Sequence, residues 1–516
     1  MKFGVPFLAF VFLGLPAALG QESNSPLTAT LLVKTRQPGD IINRNIYGQF
    51  SEHLGHCIYG GVWVGQDSPI PNTRGIRNDI AAALKALKVP VLRWPGGCFA
   101  DEYHWKNGLG PPDKRPSMIN THWGGVTDNN AFGTHEFMDF CSQIGAQPYI
   151  CGNLGSGSVE EMMDWVEYIT SDAQSPMPSL RRLNGRQEPW PLPFFGVGNE
   201  SWGCGGDMTP AFYADNFRRY NTFIKDYSNN HICRIACGAN GADYQWTETL
   251  MSKASHSFDA LSLHYYCGSG RVSQSATDFA EGDWIYLLAR ALFMDELVTR
   301  HSQIMDRYDP PKRVGLMVDE WGTWHNVEPG TNPGFNFQQN TLRDALVAAL
   351  TLNIFNRHCD RVRMANIAQL ANVLQAMILT DNEKMVLTPT YYVFQMYSVH
   401  QNAILLPSEV AAPLYSLGGE AIPSLTVSAS RDNSGKVHIT LTNADPHHAL
   451  NLSGVLDGMA AASVSGRVLT APAINSHNTF TAPDTVRPAP LEGATVAGDK
   501  LTVTLPPKSV VMLEIL

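Results

Sequence analysis

The chain lacks the features that mark several whole classes of protein. It has no run of basic residues and a formal net charge of -10, which argues against nucleic acid as a partner. After its N-terminus it has no apolar segment of the about 20 residues needed to span a bilayer. It shows no repeat of solenoid period and no glycine-rich phosphate-binding sequence after its first predicted strand. The acidic balance suits a neutral ligand better than a polyanion.

Charged residues are also scarce, at 16%, whereas hydrophobic residues make up 44% of the 516 positions. This composition supports a sizeable core, and the length fits a large barrel with a smaller second module. The nine cysteines are scattered and form no recognisable disulfide framework. Because nine is an odd number, at least one thiol is expected to be unpaired, and the sequence assigns no pairing.

The first twenty residues have the pattern of a secretory signal. Lys2 supplies the positive start, the stretch from Val5 to Ala18 is almost wholly apolar, and Ala18-Leu19-Gly20 places small residues where a signal peptidase cleaves. The stretch is short for a membrane anchor. We therefore expect residues 1–20 to be removed and the protein to be exported, either secreted or periplasmic.

Between residues 43 and 390, short apolar runs alternate with segments of helical periodicity. The runs are apolar on both faces, as parallel strands covered by helices should be. They are Ile46–Glu52, Val89–Pro95, Gln147–Asn153, Phe194–Glu200, Cys233–Asn240, Phe258–Tyr266, Val314–Trp321 and Val362–Leu370. The helical patterns are Asn78–Leu87, Gly133–Ile144, Val159–Tyr168, Pro210–Asp226 and Thr341–Asn356. Eight alternations predict an α/β fold, a (β/α)8 TIM barrel, with an open doubly wound sheet as the alternative.

After about residue 390 the helical periodicity gives way to short alternating strands separated by turns. The segments Ser424–Ser430, Val437–Thr442, Ser463–Leu469 and Leu501–Leu505 predict a C-terminal antiparallel β-sandwich over 391–516. The N-terminal segment 21–42 contains a further alternating stretch at 27–36. This stretch precedes the barrel and is a candidate to pair with the sandwich.

Two of the predicted strands, the fourth and the seventh, end abruptly in a glutamate. Glu200 follows Gly196-Val197-Gly198-Asn199, and Glu320 follows Leu316-Met317-Val318-Asp319; a Trp-containing, glycine-rich loop comes after each. One such glutamate could simply begin a surface loop. Two in one chain favour catalysis, because barrel enzymes carry their chemistry at these strand ends and two opposed carboxylates suffice to cleave a glycosidic bond.

Most of the remaining strand ends also carry a hydrogen-bonding group. These groups are Glu52, Arg93 with Cys98, Asn153, Asn199, Asn240, His264 with Tyr266, and Gln369 with Asn372. Aromatic walls could come from Trp94, Trp105, Trp123, Trp202, Trp321 and Trp324. Neutral donors and acceptors, aromatic rings and a few carboxylates together suit a sugar. The long loops 105–134 and 320–340 follow strand ends and are expected to form the pocket.

With these segments side by side, the chain resembles the α-L-arabinofuranosidases of glycoside hydrolase family 51. The resemblance rests on Ile46–Gly55 (IYGQFSEHLG), Leu92–Phe99 (LRWPGGCF), Gly198-Asn199-Glu200, His264-Tyr265-Tyr266, Asp319-Glu320-Trp321 and Ile367–Asn372 (IAQLAN). It implies retaining release of terminal non-reducing α-L-arabinofuranosyl residues from arabinoxylan, arabinan or arabino-oligosaccharides. It implies no cofactor and no metal, and a homo-oligomer that is often a hexamer.

The resemblance also implies roles for individual residues. Glu200 would be the acid/base and Glu320 the nucleophile, with their carboxyls about 5 Å apart. The arabinose-binding and orienting positions would be Glu52, Arg93, Cys98, Asn199, Tyr266, Gln369 and Trp123. Cys98 stands where some members have Asn, so it is expected to make a softer contact.

The residues by themselves leave other interpretations open. An endo-acting β-1,4-glucanase or xylanase on the same barrel would need an open cleft past Glu200. A non-catalytic carbohydrate-binding protein would not need two opposed carboxylates. Arg93 could instead pair with a core carboxylate, and Tyr266 could serve packing. The spacing of His53 and His56 fits a metal site, but no third ligand is evident.

Overall fold

A computed structural model describes residues 26–268 and 275–516. Eight parallel strands in these ranges close into a barrel in chain order, and the eighth pairs with the first. The strands are Gly48–Phe50, Val91–Trp94, Gln147–Gly152, Phe194–Val197, Cys233–Asn240, Ala260–Cys267, Gly315–Thr323 and Val362–Ala368. The predicted (β/α)8 TIM barrel is confirmed, because every predicted run overlaps one strand and the sheet has no open edge.

The described ranges contain nine α-helices. They are α1 Asn78–Leu87, α2 Thr134–Ile144, α3 Val159–Thr170, α4 Pro176–Leu183, α5 Pro210–Asn221, α6 Tyr244–Ala254, α7 Glu281–Tyr308, α8 Leu342–Arg357 and α9 Pro389–Tyr397. The five predicted helical segments correspond to α1, α2, α3, α5 and α8. Helices α4, α6, α7 and α9 were not predicted from the sequence. Among the described residues, no helix is both long and apolar enough to cross a membrane.

The predicted C-terminal β-sandwich is also confirmed, and it consists of two sheets. One sheet has the order Ser408–Ala411, Leu27–Val33, Leu450–Leu456, Lys500–Leu505, Thr495–Ala497. The other has the order Ile404–Leu405, Leu425–Arg431, Val437–Asn443, Ser509–Ile515, Val464–Leu469, Ala489–Pro490. The N-terminal strand Leu27–Val33 lies in the first sheet, in parallel register with Leu450–Leu456. The first strand of the described residues therefore belongs to the same sandwich as the C-terminal strands, and the barrel lies between them in sequence.

The remaining elements are short. Four two-stranded hairpins pair Asn72–Thr73 with Ile76–Arg77, Met118–Ile119 with Thr127–Asp128, Ile378–Asp381 with Lys384–Leu387, and Leu414–Leu417 with Glu420–Pro423. The 3-10 turns are Arg44–Tyr47, Cys98–Asp101, Trp105–Gly108, Pro112–Lys114, Pro333–Phe335 and Ser398–His400. Of these, the turn Cys98–Asp101 and the hairpin around residues 118–128 lie in the loops that follow the second barrel strand.

The sandwich packs on α8 and on the turn Ser398–His400 through a buried layer of neutral polar side chains, which we call the docking layer. Asn353 donates to Thr426 and accepts from Thr440, each at 3.0 Å. His400 contacts hydroxyl groups with both ring nitrogens: Ser430 at 2.7 Å and Thr440 at 3.0 Å. Because strand side chains alternate between faces, hydroxyls every second residue leave the opposite face apolar for the core of the sandwich.

Candidate active site

Glu320, in the C-terminal half of the seventh strand, is held by two strong donors. Arg93 Nη1 donates to Glu320 Oε1 at 2.8 Å, and the Tyr266 hydroxyl donates to Glu320 Oε2 at 2.8 Å. Arg93 Nη2 also donates to the side-chain oxygen of Asn199 at 2.6 Å. Arg93 is fully buried, so its charge acts at short range in a poorly screened environment. These donors fix the position of both carboxyl oxygens of Glu320.

Glu200, at the end of the fourth strand, is linked by His264 to Asp319. His264 Nδ1 lies 2.8 Å from Glu200 Oε1, and His264 Nε2 lies 3.0 Å from Asp319 Oδ1. Burial opposes a charge on His264, but Glu320 and Asp319 outweigh it and raise the pKa of His264 to about 10. Both ring nitrogens therefore act as donors, and His264 is an imidazolium.

The pKa values of the two carboxyls beside His264 are shifted in opposite directions. Burial raises the pKa of Glu200, and the charge of Glu320 adds to this, against the hydrogen bond from His264. For Asp319, burial acts in the same direction, but the positive charges of Arg93 and His264 prevail and lower its pKa. One oxygen of Glu200 and one of Glu320 lie within 4.8 Å of each other. His264 Nδ1 is 2.8 Å from Glu200 Oε1 and 3.7 Å from Glu320 Oε2.

A fourth carboxyl, that of Glu52, forms the side of the site beside the first strand. Its Oε1 accepts from the Trp123 indole at 2.9 Å and from the Phe99 amide at 3.1 Å, while its Oε2 accepts from Gln369 at 2.9 Å. Burial, with a smaller contribution from Glu320, raises the pKa of Glu52 to about 7. The side-chain oxygen of Gln369 is buried and has no partner among the described residues, which leaves an acceptor for a hydroxyl group.

The backbone at Gly97 passes close to the carboxyls of both Glu52 and Glu320. A Cβ on Gly97 would lie 2.8 Å from Glu320 Oε1 and 3.4 Å from Glu52 Oε1. Any side chain at this position would therefore contact the carboxylate of Glu320. The glycine pair in the segment LRWPGGCF thus keeps the floor of the site open.

Asp319 contributes to the site although it precedes Glu320 in the same strand. Consecutive residues of a regular strand face opposite sides of the sheet. Here the pairing register of the seventh strand shifts between Val318 and Trp321, and on its other side between Ser262 and His264. Such bulges redirect side chains near active sites. Asp319 Oδ2 consequently lies 3.5 Å from Arg93 Nε, while Glu320 contacts the same guanidinium.

Cys98 is joined to Cys204 by a disulfide, with the two Cα atoms 5.5 Å apart. A contact of Cys98 with the sugar, as predicted, would therefore be made by a disulfide sulfur and not by a thiol. Spacing could not reveal this pair, because the two residues are 106 positions apart and meet only when the second and fourth strand ends do. The other seven cysteines, all in the described ranges, are unpaired.

Three of the six tryptophans expected to wall the pocket are core residues instead. Trp94, Trp105 and Trp321 are at most 1% exposed. Trp94 stacks on Phe137, Trp105 on Trp165 and Trp321 on Phe394. Trp94 and Trp321 each follow a residue that points into the site, so their own side chains face the surrounding helices. Trp123, Trp202 and Trp324 are half-buried.

Several strand-end amides that the sequence suggested serve the loops. Asn153 accepts from the amides of Ser156 and Gly157, and Asn372 donates to the carbonyl of His56. Asn240 is exposed. By contrast, Asp101 was not predicted to have a role. Its buried carboxyl accepts amide hydrogen bonds from three residues at the third and fourth strand ends: Leu154, Gly155 and Asn199. Asp101 comes two residues after the segment LRWPGGCF, and this position was the feature of the sequence that could have indicated its role at the site.

Two groups of side chains in the described ranges have the spacing of metal ligands, and both lie in this site. The first is Cys98, Glu200 and Cys204, whose sulfurs are joined to each other. The second is Glu200, His264 and Glu320, in which an imidazolium has no lone pair to offer. His53 is engaged through both ring nitrogens, by Asp128 and Trp94, so the His53–His56 pair offers no metal site.

The two long loops meet beside the site. A Cβ on Gly334 would lie 2.5 Å from the Cα of Gly124, and a Cβ on Gly124 would lie 3.0 Å from the ring of Phe335. Gly124 follows Trp123 directly, so the loop that carries the Trp123 indole is packed against the loop from the seventh strand. On this side the mouth of the barrel is walled.

Comparison with known proteins identifies relatives over almost the whole chain. The profile described as "Alpha-L-arabinofuranosidase 1 domain" matches residues 83–282, and "Alpha-L-arabinofuranosidase C-terminal domain" matches 319–509. An "Intracellular exo-alpha-L-arabinofuranosidase" of Bacteroides ovatus is 50% identical over 95% of this chain and 96% of its own.

Solved structures of arabinofuranosidases also resemble this chain over most of its length. The family 51 arabinofuranosidase of Xanthomonas axonopodis pv. citri superposes with a TM-score of 0.94 at 53% identity, over 95% of this chain and 100% of its own. An α-L-arabinofuranosidase of Thermotoga maritima, solved as an arabinose complex, gives a TM-score of 0.84 at 29% identity, over 95% and 100% of the two chains.

The comparisons also correct the expectation of export. The Bacteroides ovatus relative is named as an intracellular enzyme, which contradicts the prediction of a secreted or periplasmic protein. The prediction was wrong because it rested on composition alone: one positive residue, an apolar stretch and small residues after it. Residues 1–20 lie outside the described residues.

The matched profiles, the relative at 50% identity and the shared architecture agree with one another. Their common activity also fits a barrel mouth that brings together four carboxyls, an arginine and an imidazolium. The chain belongs to glycoside hydrolase family 51 and is an α-L-arabinofuranosidase.

Proposed function

We propose that this enzyme releases terminal non-reducing α-L-arabinofuranosyl residues by double displacement, with Glu320 as the nucleophile and Glu200 as the acid/base. The observation that carries the proposal is the unequal environment of two carboxyls whose oxygens lie within 4.8 Å of each other. Retaining glycosidases place their two carboxyls about 5 Å apart, whereas inverting ones leave roughly 6.5–9.5 Å for a water. The short separation supports retention.

The balance of charge supports the division of roles. Arg93 and His264 carry two positive charges, which Asp319 and Glu320 neutralise at 3.5, 3.0 and 2.8 Å. A further negative charge on Glu200 would be unbalanced in a site with little water. Glu200 therefore holds a proton in the free enzyme and can deliver it to the leaving oxygen, while the ionised Glu320 attacks the anomeric carbon.

The second half of the reaction reverses these roles. Once the glycosyl–Glu320 ester has formed, Glu320 no longer carries its charge and one cause of the raised pKa of Glu200 is gone. Glu200 is then the base that takes a proton from water. Tyr266 and Arg93, which both donate to Glu320, would stabilise this carboxylate again as it leaves the sugar.

The substrate is proposed to be arabinoxylan, arabinan or their oligosaccharides. The sugar would occupy the space between Glu52, Gln369, Asn199 and Tyr266, where hydroxyl groups find both donors and acceptors. The contact between the Trp123 and Phe335 loops favours a pocket that admits a chain end over a cleft that admits an internal unit. Product analysis on wheat arabinoxylan and debranched arabinan tests this: free arabinose is expected, whereas xylo- or arabino-oligosaccharides would show endo-acting cleavage.

The catalytic roles are tested with Glu200→Ala and Glu320→Ala on aryl α-L-arabinofuranosides. Each is expected to lower kcat/KM by at least about 10²-fold on a poor leaving group. Azide should rescue Glu320→Ala with an inverted arabinosyl azide as product, and Glu200→Ala with a retained one on an activated substrate. Near-normal turnover by Glu320→Ala, or the opposite pairing of azide products, would contradict the assignment.

A further inference from the structure

The Cys98–Cys204 disulfide lies directly against the carboxyl of Glu200. The sulfur of Cys204 is 3.5 Å from Glu200 Oε2, and that of Cys98 is 3.8 Å from the same oxygen. Disulfide sulfurs carry no proton, so they give this oxygen no hydrogen bond, while Oε1 accepts one from His264. The oxygen of Glu200 that faces the disulfide is thus the one left free to bear the catalytic proton.

The backbone of Glu200 also needs external support. Its φ is 39°, in the left-handed region, which residues other than glycine adopt only when the surrounding structure holds them there. The turn that follows folds back on it: the amides of Gly203 and Gly205 both donate to the Glu200 carbonyl, at 2.7 and 3.1 Å. Cys204 lies between these two donors. Fixing Cys204 therefore fixes the turn that holds Glu200 in its unusual conformation.

The other half of the disulfide lies in the turn Cys98–Asp101, which follows the second barrel strand. Asp101, in the same turn, accepts the amide of Asn199 at 3.1 Å. One short turn thus holds the fourth strand end on both sides of Glu200, by a hydrogen bond at residue 199 and by a covalent bond at residue 204. Both cysteines are half-buried, so a small thiol can approach them.

We propose that the Cys98–Cys204 disulfide positions Glu200 for acid catalysis, and that its reduction by a dithiol lowers that catalysis. This inference rests on the proposed role of Glu200 as the acid/base. In the reduction, a thiolate of the dithiol attacks one sulfur and the protein S–S bond breaks, giving a mixed disulfide. The second thiolate then closes the cyclic oxidised dithiol. Two electrons pass to the protein, and two protons complete the thiols of Cys98 and Cys204.

Two consequences follow for Glu200. The new thiols can donate hydrogen bonds to Oε2, which favours the carboxylate over the acid. The turn from Gly203 to Gly205 also loses its covalent tie to the second strand. Both effects act on proton delivery to the leaving group and leave the contacts of Glu320 with Arg93 and Tyr266 in place.

The test compares oxidised enzyme with enzyme reduced by dithiothreitol and trapped with iodoacetamide, the modified residues being identified by mass spectrometry. Values of kcat/KM are measured for 2,4-dinitrophenyl and phenyl α-L-arabinofuranosides, which differ in their need for protonation. Reduction is expected to lower kcat/KM about tenfold or more on the phenyl substrate and much less on the dinitrophenyl one. The basic limb of the pH profile should also move to lower pH with the phenyl substrate when the reduced enzyme is assayed without trapping.

Two variants act as controls. The double variant C98A/C204A lacks the disulfide, and it should reproduce the leaving-group dependence and not respond to dithiothreitol. Cys233→Ser removes a half-buried free thiol at the opposite end of the barrel and should respond to reduction as the parent does. Circular dichroism of every sample shows whether it is folded.

The outcomes separate this inference from the proposed function. If Glu200→Ala shows a strong leaving-group dependence but the reduced enzyme and C98A/C204A do not, the disulfide has no positioning role. If Glu200→Ala itself shows no such dependence, the acid/base assignment fails. Equal loss on both substrates, or unfolding of both the reduced enzyme and C98A/C204A, would make the disulfide a general structural bond and overturn the inference.

Discussion

The barrel mouth and the docking layer are both buried and polar, but they use opposite chemistry. The mouth contains Glu52, Asp319, Glu320, Arg93 and His264, all at most 5% exposed and most of them charged. The docking layer uses amides, hydroxyls and one histidine, and burial lowers the pKa of His400 to about 3, so that this side chain stays neutral. The neutral docking layer can therefore join the two domains over a wide range of pH. The stability of the charged cluster at the barrel mouth depends on pH and on the presence of each of its members.

The difference follows from what each region has to do. A neutral hydrogen bond replaces a bond to water at a net gain of about 1 kcal/mol and is insensitive to pH. A buried charge loses several kcal/mol of hydration and needs a partner of opposite sign. Catalysis needs a proton that moves, so the mouth retains groups whose ionisation is easily shifted. Variants in the two regions should therefore separate stability from activity.

The largest effect is expected from removing the cation of the mouth. Arg93→Met leaves Asp319 and Glu320 without their shared partner, so the free energy of unfolding should fall by about 3–5 kcal/mol and kcat should collapse. The matched control is Arg361→Met, which removes a buried arginine paired with Asp309 at 3.0 Å, away from the mouth. It should lower stability similarly but change kcat little. Urea unfolding and steady-state kinetics measure both, and full activity in Arg93→Met would contradict the charge balance.

A pH-dependent effect is expected at Glu52. Its pKa is about 7 in the folded protein against 4.5 for an ordinary glutamate. Because the folded value is the higher one, its contribution to stability is present below pH 4.5 and is lost as the pH rises through 7. The loss amounts to about 3 kcal/mol. Glu52→Gln cannot ionise and escapes this loss.

The measurement for Glu52→Gln is the free energy of unfolding from urea titrations at pH 4.5 and pH 8. The difference between the variant and the parent should rise by about 3 kcal/mol towards pH 8. Asp101 has a pKa raised to about 7 by burial, but it is present in both proteins and cancels. A pH-independent difference would mean that Glu52 is not held in a neutral form.

The smallest effect belongs to the docking layer. Asn353→Ala removes the hydrogen bonds that Asn353 makes with Thr426 and Thr440, and Thr440 keeps its contact with His400. The free energy of unfolding should fall by about 2 kcal/mol at any pH between 5 and 8. The kcat and the pH profile should not move. Asn451→Ala, at an exposed asparagine of the same sandwich, is the control and should be neutral. A shift in the pH profile of Asn353→Ala would show that the two regions are coupled.

Much of the architecture could be read from local patterns. The eight apolar runs coincide with the eight barrel strands because strands covered on both faces must be apolar throughout. The alternation after residue 390 marked the sandwich for a similar reason. Helix α7 escaped notice, although it buries Trp284, Leu287, Leu288 and Ala291 at helical spacing. Glu200 and Glu320 were found because a carboxylate that ends an apolar strand is conspicuous in the sequence.

The parts that escaped prediction are those that depend on distant segments meeting. Trp94 and Trp321 were expected at the pocket, but they face the helices because Arg93 and Glu320 already face inwards. The two inward carboxylates Asp319 and Glu320 depend on a register shift, which arises from pairing with neighbouring strands and leaves no mark on composition. The partner of Cys98 could not be chosen from the eight other cysteines by spacing.

The sequence alone determined which residues form strands, which strands carry candidate catalytic residues at their ends, and which family these segments resemble. Each of these is a local property of consecutive residues. Only the tertiary structure decided which charges balance each other at the mouth, which cysteine closes on Cys98, and how a layer of hydroxyls and amides joins the sandwich to α8. Those outcomes require residues far apart in the chain to come within about 3 Å for a hydrogen bond or ion pair, and within about 2 Å for the sulfurs of a disulfide.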